Sequence, residues 1–255
     1  MPRLTVPPNF TGTAGSDTLI GEDLNKFPAI GIDILTGGFI YTGLGKDTIK
    51  GNGTGGKGAD GVIDKNVDGS KGSAGIGISN NGNLNAGPCD DVIISKGIGG
   101  RGGDGVINFE EDYFAFAGGG GGTGTGITNS GILNTGLGND TIISNGNDKI
   151  TATSTIDEVQ QKVTIGGGIN IDLGTGNDYF KGFGTGTVDG GKGFDTLDLS
   201  AFNRSELTFS GVTSGNALNP ANISFNNNGD VITLSTTGFE NFIFADGSLC
   251  YSTLT

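Results

Sequence analysis

The stretch GITNSGILNTGLGNDTIIS (126–144) falls without a gap on GISNNGNLNAGPCDDVIIS (77–95), 49 residues earlier. The match extends backwards: residues 75–108 lie on 31–64 at an offset of 44, with GPCDDVI (87–93) on GLGKDTI (43–49) and GGRGGDGVI (99–107) on GGKGADGVI (55–63). Self-similarity at long, nearly constant spacing is the mark of a chain that stacks one unit on the next. A shorter copy, INIDLGTGNDYF (169–180), follows; GTAGSDTLIG (12–21) opens the series and GGKGFDTLDL (190–199) closes it.

Within the copies, apolar residues return at fixed steps. Ile34, Ile40, Ile49 and Val62 are followed by Ile78, Leu84, Ile93 and Val106, and later by Ile171, Phe180, Val188 and Leu197. These steps are not the 3.6-residue period of a helix, and the runs DTIK, DVIIS, DTIIS and GVIN are β-branched and bounded by glycine, as strands are. The expected fold is all-β: a parallel β-solenoid of the β-roll or β-helix kind whose stacked passes bury a narrow column of Ile, Leu and Val. Residues 1–11 read as a lead-in and 12–200 as the repeat solenoid. Residues 201–255, with longer alternation and a hairpin signal at Asn227-Asn228-Gly229, read as an antiparallel C-terminal β cap with a candidate export signal.

Composition narrows the function. Of 255 residues, 53 are Gly and 33% are hydrophobic, too little apolar matter for an ordinary helical domain. Twenty-seven acidic against 14 basic residues give a net charge of -13, which repels phosphate backbones and anionic lipid and makes cations the natural partners. The absence of His removes Ser-His and Cys-His catalysis and His-built metal sites. Cys89 and Cys250 allow at most one bridge and have no assigned role. The opening MPRLTVPPNF has no apolar run, so neither a secretory signal nor a membrane helix is expected there. The protein is read either as intracellular or as leaving by a route without a cleaved N-terminal signal.

The chemistry lies in the turns. GxGxD, a small or polar residue and then an inward aliphatic or Phe recurs as GLGKDTI, GKGADGV, GRGGDGV, GLGNDTI, GTGNDYF and GKGFDTL, and more weakly as TAGSDTL and GPCDDVI. Glycine permits positive φ and so lets a tight turn aim its carbonyl oxygens inward, while the Asp adds a carboxylate at a fixed place. Several hard oxygens in a flexible cage suit Ca²⁺ better than Mg²⁺, which demands a stricter octahedron.

These motifs resemble the RTX, or hemolysin-type, calcium-binding repeat family, whose nonapeptide reads GGxGxDxUx with U a large aliphatic residue. The match is best at GGKGFDTLD (190–198) and good at TGLGNDTII and GTGNDYF. The resemblance implies ions held between turns on one side of the stack by carbonyls and Asp side chains. Asp178 and Asp195 would form the most familiar pair, and Asp17, Asp47, Asp60, Asp91, Asp104 and Asp140 would serve further sites. The turn glycines Gly136, Gly138, Gly174, Gly176, Gly191 and Gly193 would complete the C-terminal sites. It further implies export by a one-step route with an uncleaved C-terminal signal. The chain as a whole reads as a secreted, extracellular or cell-surface protein without enzymatic activity, with a surface, matrix or adhesion role, whose partners are calcium ions and, beyond them, cell-surface polysaccharide or other copies of itself. The chain departs from the family pattern in that most motifs are not in tandem every nine residues, and Cys89 replaces the second glycine of one motif.

Two other readings deserve weighing. Glu110, Glu111 and Asp112 in the insertion 109–122 are paired carboxylates of the kind that hydrolyse glycosides, so a polysaccharide-acting β-helix enzyme is one alternative. A self-assembling extracellular filament is the other, since uncapped stacks join end to end. The runs ISNNG and ITNSG also faintly suggest an exposed Thr/Asn ladder of the ice-binding kind.

Overall fold

Short β-branched runs between glycines can only extend for a few residues before the chain turns, and their inward side chains must then be covered by the next pass of the same chain. The computed structural model, which describes residues 2–62, 67–108, 114–116, 118–147, 169–211, 221–227 and 229–250, is all-β and rich in parallel strands. The first pass comprises β1 (Leu4–Val6), β2 (Phe10–Thr11) and β3 (Thr18–Lys26); the second β4 (Ala29–Ile34), β5 (Phe39–Tyr41) and β6 (Thr48–Gly55). The third comprises β7 (Gly75–Asn80), β8 (Asn83–Asn85) and β9 (Val92–Ile98), and is followed by a side hairpin, β10 (Val106–Asn108) with β11 (Phe114–Phe116). The fourth comprises β12 (Gly124–Asn129), β13 (Ile132–Asn134) and β14 (Thr141–Asn147).

Equivalent strands of successive passes pair in parallel and build three sheets, so residues 4–11 of the expected lead-in already contribute strands. The first sheet runs β1-β4-β7-β12. The fifth pass, β15 (Ile169–Asp172) and β16 (Tyr179–Lys181), and the sixth, β17 (Gly186–Asp189) and β18 (Thr196–Leu199), extend the second and third sheets, and among the described residues they add no strand to the first. Beyond them come β19 (Leu207–Ser210), β20 (Ala221–Asn227), β21 (Asp230–Thr237), β22 (Asn241–Phe244) and β23 (Gly247–Cys250). The expected antiparallel cap is present as β19-β20-β21 and β22-β23, with the hairpin closing Asn227 onto Asp230. Yet β21 and β22 also pair in parallel with β17 and β18, so the cap carries one more pass of the stack.

One apolar cluster runs through the stack: Ile32, Ile40 and Ile49, then Ile78, Leu84 and Ile93, then Ile127, Leu133 and Ile142, all buried. Further along the chain the column changes to Phe180, Phe183, Phe202, Phe225 and Phe242, all buried. Each such side chain contributes about 1.5–3 kcal/mol through burial.

The gapless alignment of the second and third passes needs correction in the first sheet. Ile78 pairs with Ile32 and Asn80 with Ile34, two residues out of the register kept by Ile40↔Leu84 and Ile49↔Ile93. The corner 35–38 is longer by two than the corner 81–82, and a slip of two leaves every side chain on its own face. Asn80 thus enters the core, where its Nδ2 donates to Asn129 Oδ1 at 2.7 Å and to the Ile132 carbonyl at 2.8 Å. Both Asn80 and Asn129 are buried, so the runs ISNNG and ITNSG supply an internal corner ladder and their first Asn is not presented to solvent.

Val62 does not continue the apolar column: it is 41% exposed and bridges Val67. Val106 begins the side hairpin. Between them the glycine-rich segments 55–61, 69–75, 99–105 and 118–124 pack side by side. Gly58 and Gly61 N–H donate to the Arg101 and Asp104 carbonyls, Ser70 and Ser73 to Ala59 and Gly56, Gly100 and Gly103 to Ser73 and Ser70, and Gly119 and Gly122 to Gly103 and Gly100. Donors recur every third residue, the period of a polyproline-II helix and not the two of a strand. Backbones approach so closely that a Cβ on Gly103 would lie 1.8 Å from the Ala59 carbonyl oxygen and one on Gly119 1.9 Å from that of Ser70.

Candidate metal centre: a column of turn carboxylates

Five of the turns that connect the second sheet to the third share one conformation: 43–47, 87–91, 136–140, 174–178 and 191–195. Each takes a positive φ twice. At the first position these are Gly43 (104°), Gly87 (98°), Gly136 (104°), Gly174 (95°) and Gly191 (89°); at the second, Gly45 (111°), Cys89 (100°), Gly138 (137°), Gly176 (148°) and Gly193 (149°). This is the conformation the glycine spacing predicts, and Cys89 adopts it despite its Cβ.

The Asp that ends each turn joins a continuous ladder. Asp17 N–H donates to Asp47 Oδ1 at 2.7 Å, Asp47 N–H to Asp91 Oδ1 at 2.8 Å, Asp91 N–H to Asp140 Oδ1 at 2.8 Å, Asp140 N–H to Asp178 Oδ1 at 2.7 Å and Asp178 N–H to Asp195 Oδ1 at 2.8 Å. Glu240 Oε2 accepts the last N–H, from Asp195, at 2.7 Å. One oxygen of each carboxylate is thereby used. The other, Oδ2 of Asp47, Asp91, Asp140, Asp178 and Asp195, is buried and has no hydrogen-bond partner among the described residues. The ion pairs described, such as Lys46–Asp90 and Lys181–Asp198, do not reach these five side chains, which are at most 2% exposed.

A buried carboxylate oxygen without a partner is costly, and like charges on adjacent passes add to that cost: about 3.5 kcal/mol per pair at a strand spacing of ~4.8 Å and an effective dielectric of about 20. Protonation relieves it. Burial pushes the Asp91 and Asp178 carboxyls up to about 7 and Asp195 up to about 6, against the pull of the N–H each accepts, and neighbouring carboxylates add to the rise. Asp140 is raised for the same first reason, against the pull of the Asp91 N–H and of the nearby Thr135 hydroxyl, whose own hydrogen bond goes to the Leu173 carbonyl at 2.7 Å. Among the described residues no three Asp, Glu or Cys side chains converge on one point. The carboxylates are strung one per pass, so a cation would be shared between passes and completed by backbone oxygen. Hard, buried, partnerless oxygens at turns whose glycines open the backbone fit that demand.

A second ladder runs beside the first in the opposite direction. Asn139 N–H donates to Asp90 Oδ1 at 3.0 Å, Asn177 N–H to Asn139 Oδ1 at 2.8 Å and Phe194 N–H to Asn177 Oδ1 at 2.9 Å. Adjacent N–H groups of one turn are therefore held from the neighbouring passes on opposite sides. The Asx residue before the Asp, visible as DD and ND in GPCDD, GLGND and GTGND, is the signal for it, and it was passed over in the sequence. Glu240 was passed over too. It occupies the Asp place in GFEN, after Gly238 at φ 74°. Asp172 and Asp189 flank the last two turns, where they accept the Gly174 and Gly191 N–H groups.

Asp60 and Asp104 are not brought to the column. They lie on the glycine-rich segments, where Asp104 N–H donates to Asp60 Oδ1 at 2.8 Å, Lys57 Nζ contacts Asp60 at 2.6 Å and Asp104 at 3.1 Å, and Arg101 pairs with Asp104. Lys57 holds the exposed Asp60 carboxyl below its ordinary range. Glu110, Glu111 and Asp112 lie outside the described residues. Cys89 is a free, exposed thiol. The chain matches no protein-family model, no curated protein and no solved structure.

Proposed function

We propose that the chain is a calcium-binding β-solenoid of the RTX kind, a secreted, non-enzymatic repeat protein with a structural role at a surface or in a matrix, whose turns are knitted together by Ca²⁺. The observation that carries this reading is the row of five buried Oδ2 atoms without a hydrogen-bond partner, in register on successive passes. Asp47, Asp91, Asp140, Asp178 and Asp195 would hold the ions together with backbone oxygens of the glycine turns. Asp60 and Asp104 are left out because Lys57 and Arg101 already engage their carboxylates.

When bound, calcium neutralises the row and removes the repulsion between passes. The chain's own part is to keep one oxygen of each Asp on a neighbouring N–H, which fixes the carboxylate and leaves its second oxygen free for the ion. The net charge of -13 draws cations toward the stack and disfavours anionic partners. At the affinities of extracellular calcium modules, roughly 10⁻⁴ to 10⁻³ M, millimolar Ca²⁺ adds about 0.4 to 1.4 kcal/mol per site by mass action. Several such sites rival the 5–15 kcal/mol margin typical of a domain, roughly speaking. A protein tuned in this way is loose at low intracellular calcium and firm outside the cell.

The test is metal analysis of the purified chain with circular dichroism and thermal melts in calcium and in excess chelator. Stoichiometric calcium and a melting temperature that falls on chelation are expected. A metal-free chain whose spectrum and melting temperature ignore both additions would end this reading.

A further inference from the structure

The hydrogen-bond ladder runs one turn further than the orphaned oxygens do. Asp17 still donates its N–H to Asp47 Oδ1, but its own Oδ2, the counterpart of the five partnerless atoms, is occupied. Thr13 N–H reaches it at 2.6 Å and Thr13 Oγ1 at 3.0 Å. The hydroxyl also accepts the Gly15 N–H at 3.1 Å, so the turn closes on itself. Thr13 stands where the later turns have Gly43, Gly87, Gly136, Gly174 and Gly191, and no residue from 12 to 17 takes a positive φ. A threonine enters that region only at a cost of roughly 1–2 kcal/mol. The first turn therefore does not adopt the shape with two positive φ angles that the other five share.

We propose that Thr13 is a stop that ends the ion column. Its N–H and O–H present their positive ends to the one oxygen a cation would need, satisfying Asp17 from within its own turn and turning a ligand position into a structural cap. Asp47 is then the first ligand, and the N-terminal pass joins the stack through hydrogen bonds, the buried Val6 and Leu19 and the Arg3–Asp33 ion pair, without an ion. This inference rests on the calcium reading above and adds to it where the column begins and why. Thr13→Gly turns TAGSD into GAGSD, the same GxGxD found in the ion-binding turns.

Calcium bound per chain, counted by equilibrium dialysis of the full chain against calcium alone, separates the possibilities, with thermal melts in calcium and in chelator beside it. Asp17→Asn is expected to keep the wild-type count and to lower the melting temperature equally in both conditions. Asp178→Asn is expected to lose at least one ion and part of the calcium-dependent stabilisation. Thr13→Gly is expected to bind one ion more than wild type, and Thr13→Gly/Asp17→Asn to lose it again. An ion lost in Asp17→Asn, or an unchanged count in folded Thr13→Gly, overturns the stop while leaving the calcium reading standing. A wild-type chain that binds no calcium at all overturns that reading and this one with it. If Asp17→Asn does not fold, Thr13→Gly carries the test, because it restores glycine at a glycine position.

Discussion

The turn column and the glycine-rich side bundle share one sequence motif and use it for different ends. GLGNDTI and GRGGDGV both read GxGxD with a β-branched aliphatic two places on, yet the first ends in the buried Asp140 and the second in Asp104, partly exposed and paired with Lys57 and Arg101. In the column, glycine is needed for its left-handed φ, as at Gly136 and Gly138. In the bundle, none of the packed glycines has a positive φ; Gly103 and Gly119 are needed because another backbone lies where a Cβ would go. What separates the two in sequence is the residue directly after the Asp, Thr141 in the first and Gly105 in the second. Ile142 returns to the core, whereas Val62 in the matching GKGADGV stays at the surface. The motif thus specifies a turn only where the strand after it can bury its alternate residues.

Acid should set the two regions against each other, with the largest effect on the column. In metal-free protein, Asp91 and Asp178 titrate near 7 in the folded chain against 3.8 ordinarily. The folded state thus holds protons the unfolded state has released, so stability is greatest below about pH 4 and falls by several kcal/mol as pH rises toward 7. Asp60, whose value is lowered by Lys57, runs the other way: its contribution is present above the ordinary range and fades as pH falls. Amide hydrogen exchange across pH in chelator should show turn amides better protected in acid and bundle amides better protected near neutrality. The same sign in both regions would break the contrast. Gly136→Ala and Gly103→Ala come next. Each is expected to cost roughly 1–3 kcal/mol in thermal melts, through strain plus a clash at the first and overpacking at the second, but only Gly136→Ala should also weaken calcium binding. The smallest effect is a gain. Cys89→Gly removes the one Cβ at a left-handed position among the five turns and should raise stability by up to about 1–2 kcal/mol, read from a denaturant midpoint.

Much of the column could be read from the chain alone, because its signals are local. Positive-φ glycines, the Asp and the inward Ile recur within seven residues, and Ile171, Phe180, Val188 and Leu197 were all placed in the core where the structure has them. What escaped is what depends on a partner segment. The three-residue glycine period of the bundle is written in the chain, at Gly55, Gly58 and Gly61 and at Gly69, Gly72 and Gly75, but its use in close backbone packing shows only when residues 99–105 lie against these segments. Asn80 looked like a surface residue until the two-residue slip of the corner placed it opposite Ile34. Glu240 lacks the GxG that marks the other turns, and its role is visible only through the Asp195 N–H it accepts.

The ladder steps cover 30, 44, 49, 38 and 17 residues of sequence, and the hydrogen bonds across them differ by only a tenth of an ångström. Axial and lateral extent are therefore decoupled: each added corner lengthens the ladder by one strand spacing, whatever length of chain is looped out between corners. Chain looped out after the third sheet leaves the ladder undisturbed, and the glycine bundle occupies that place.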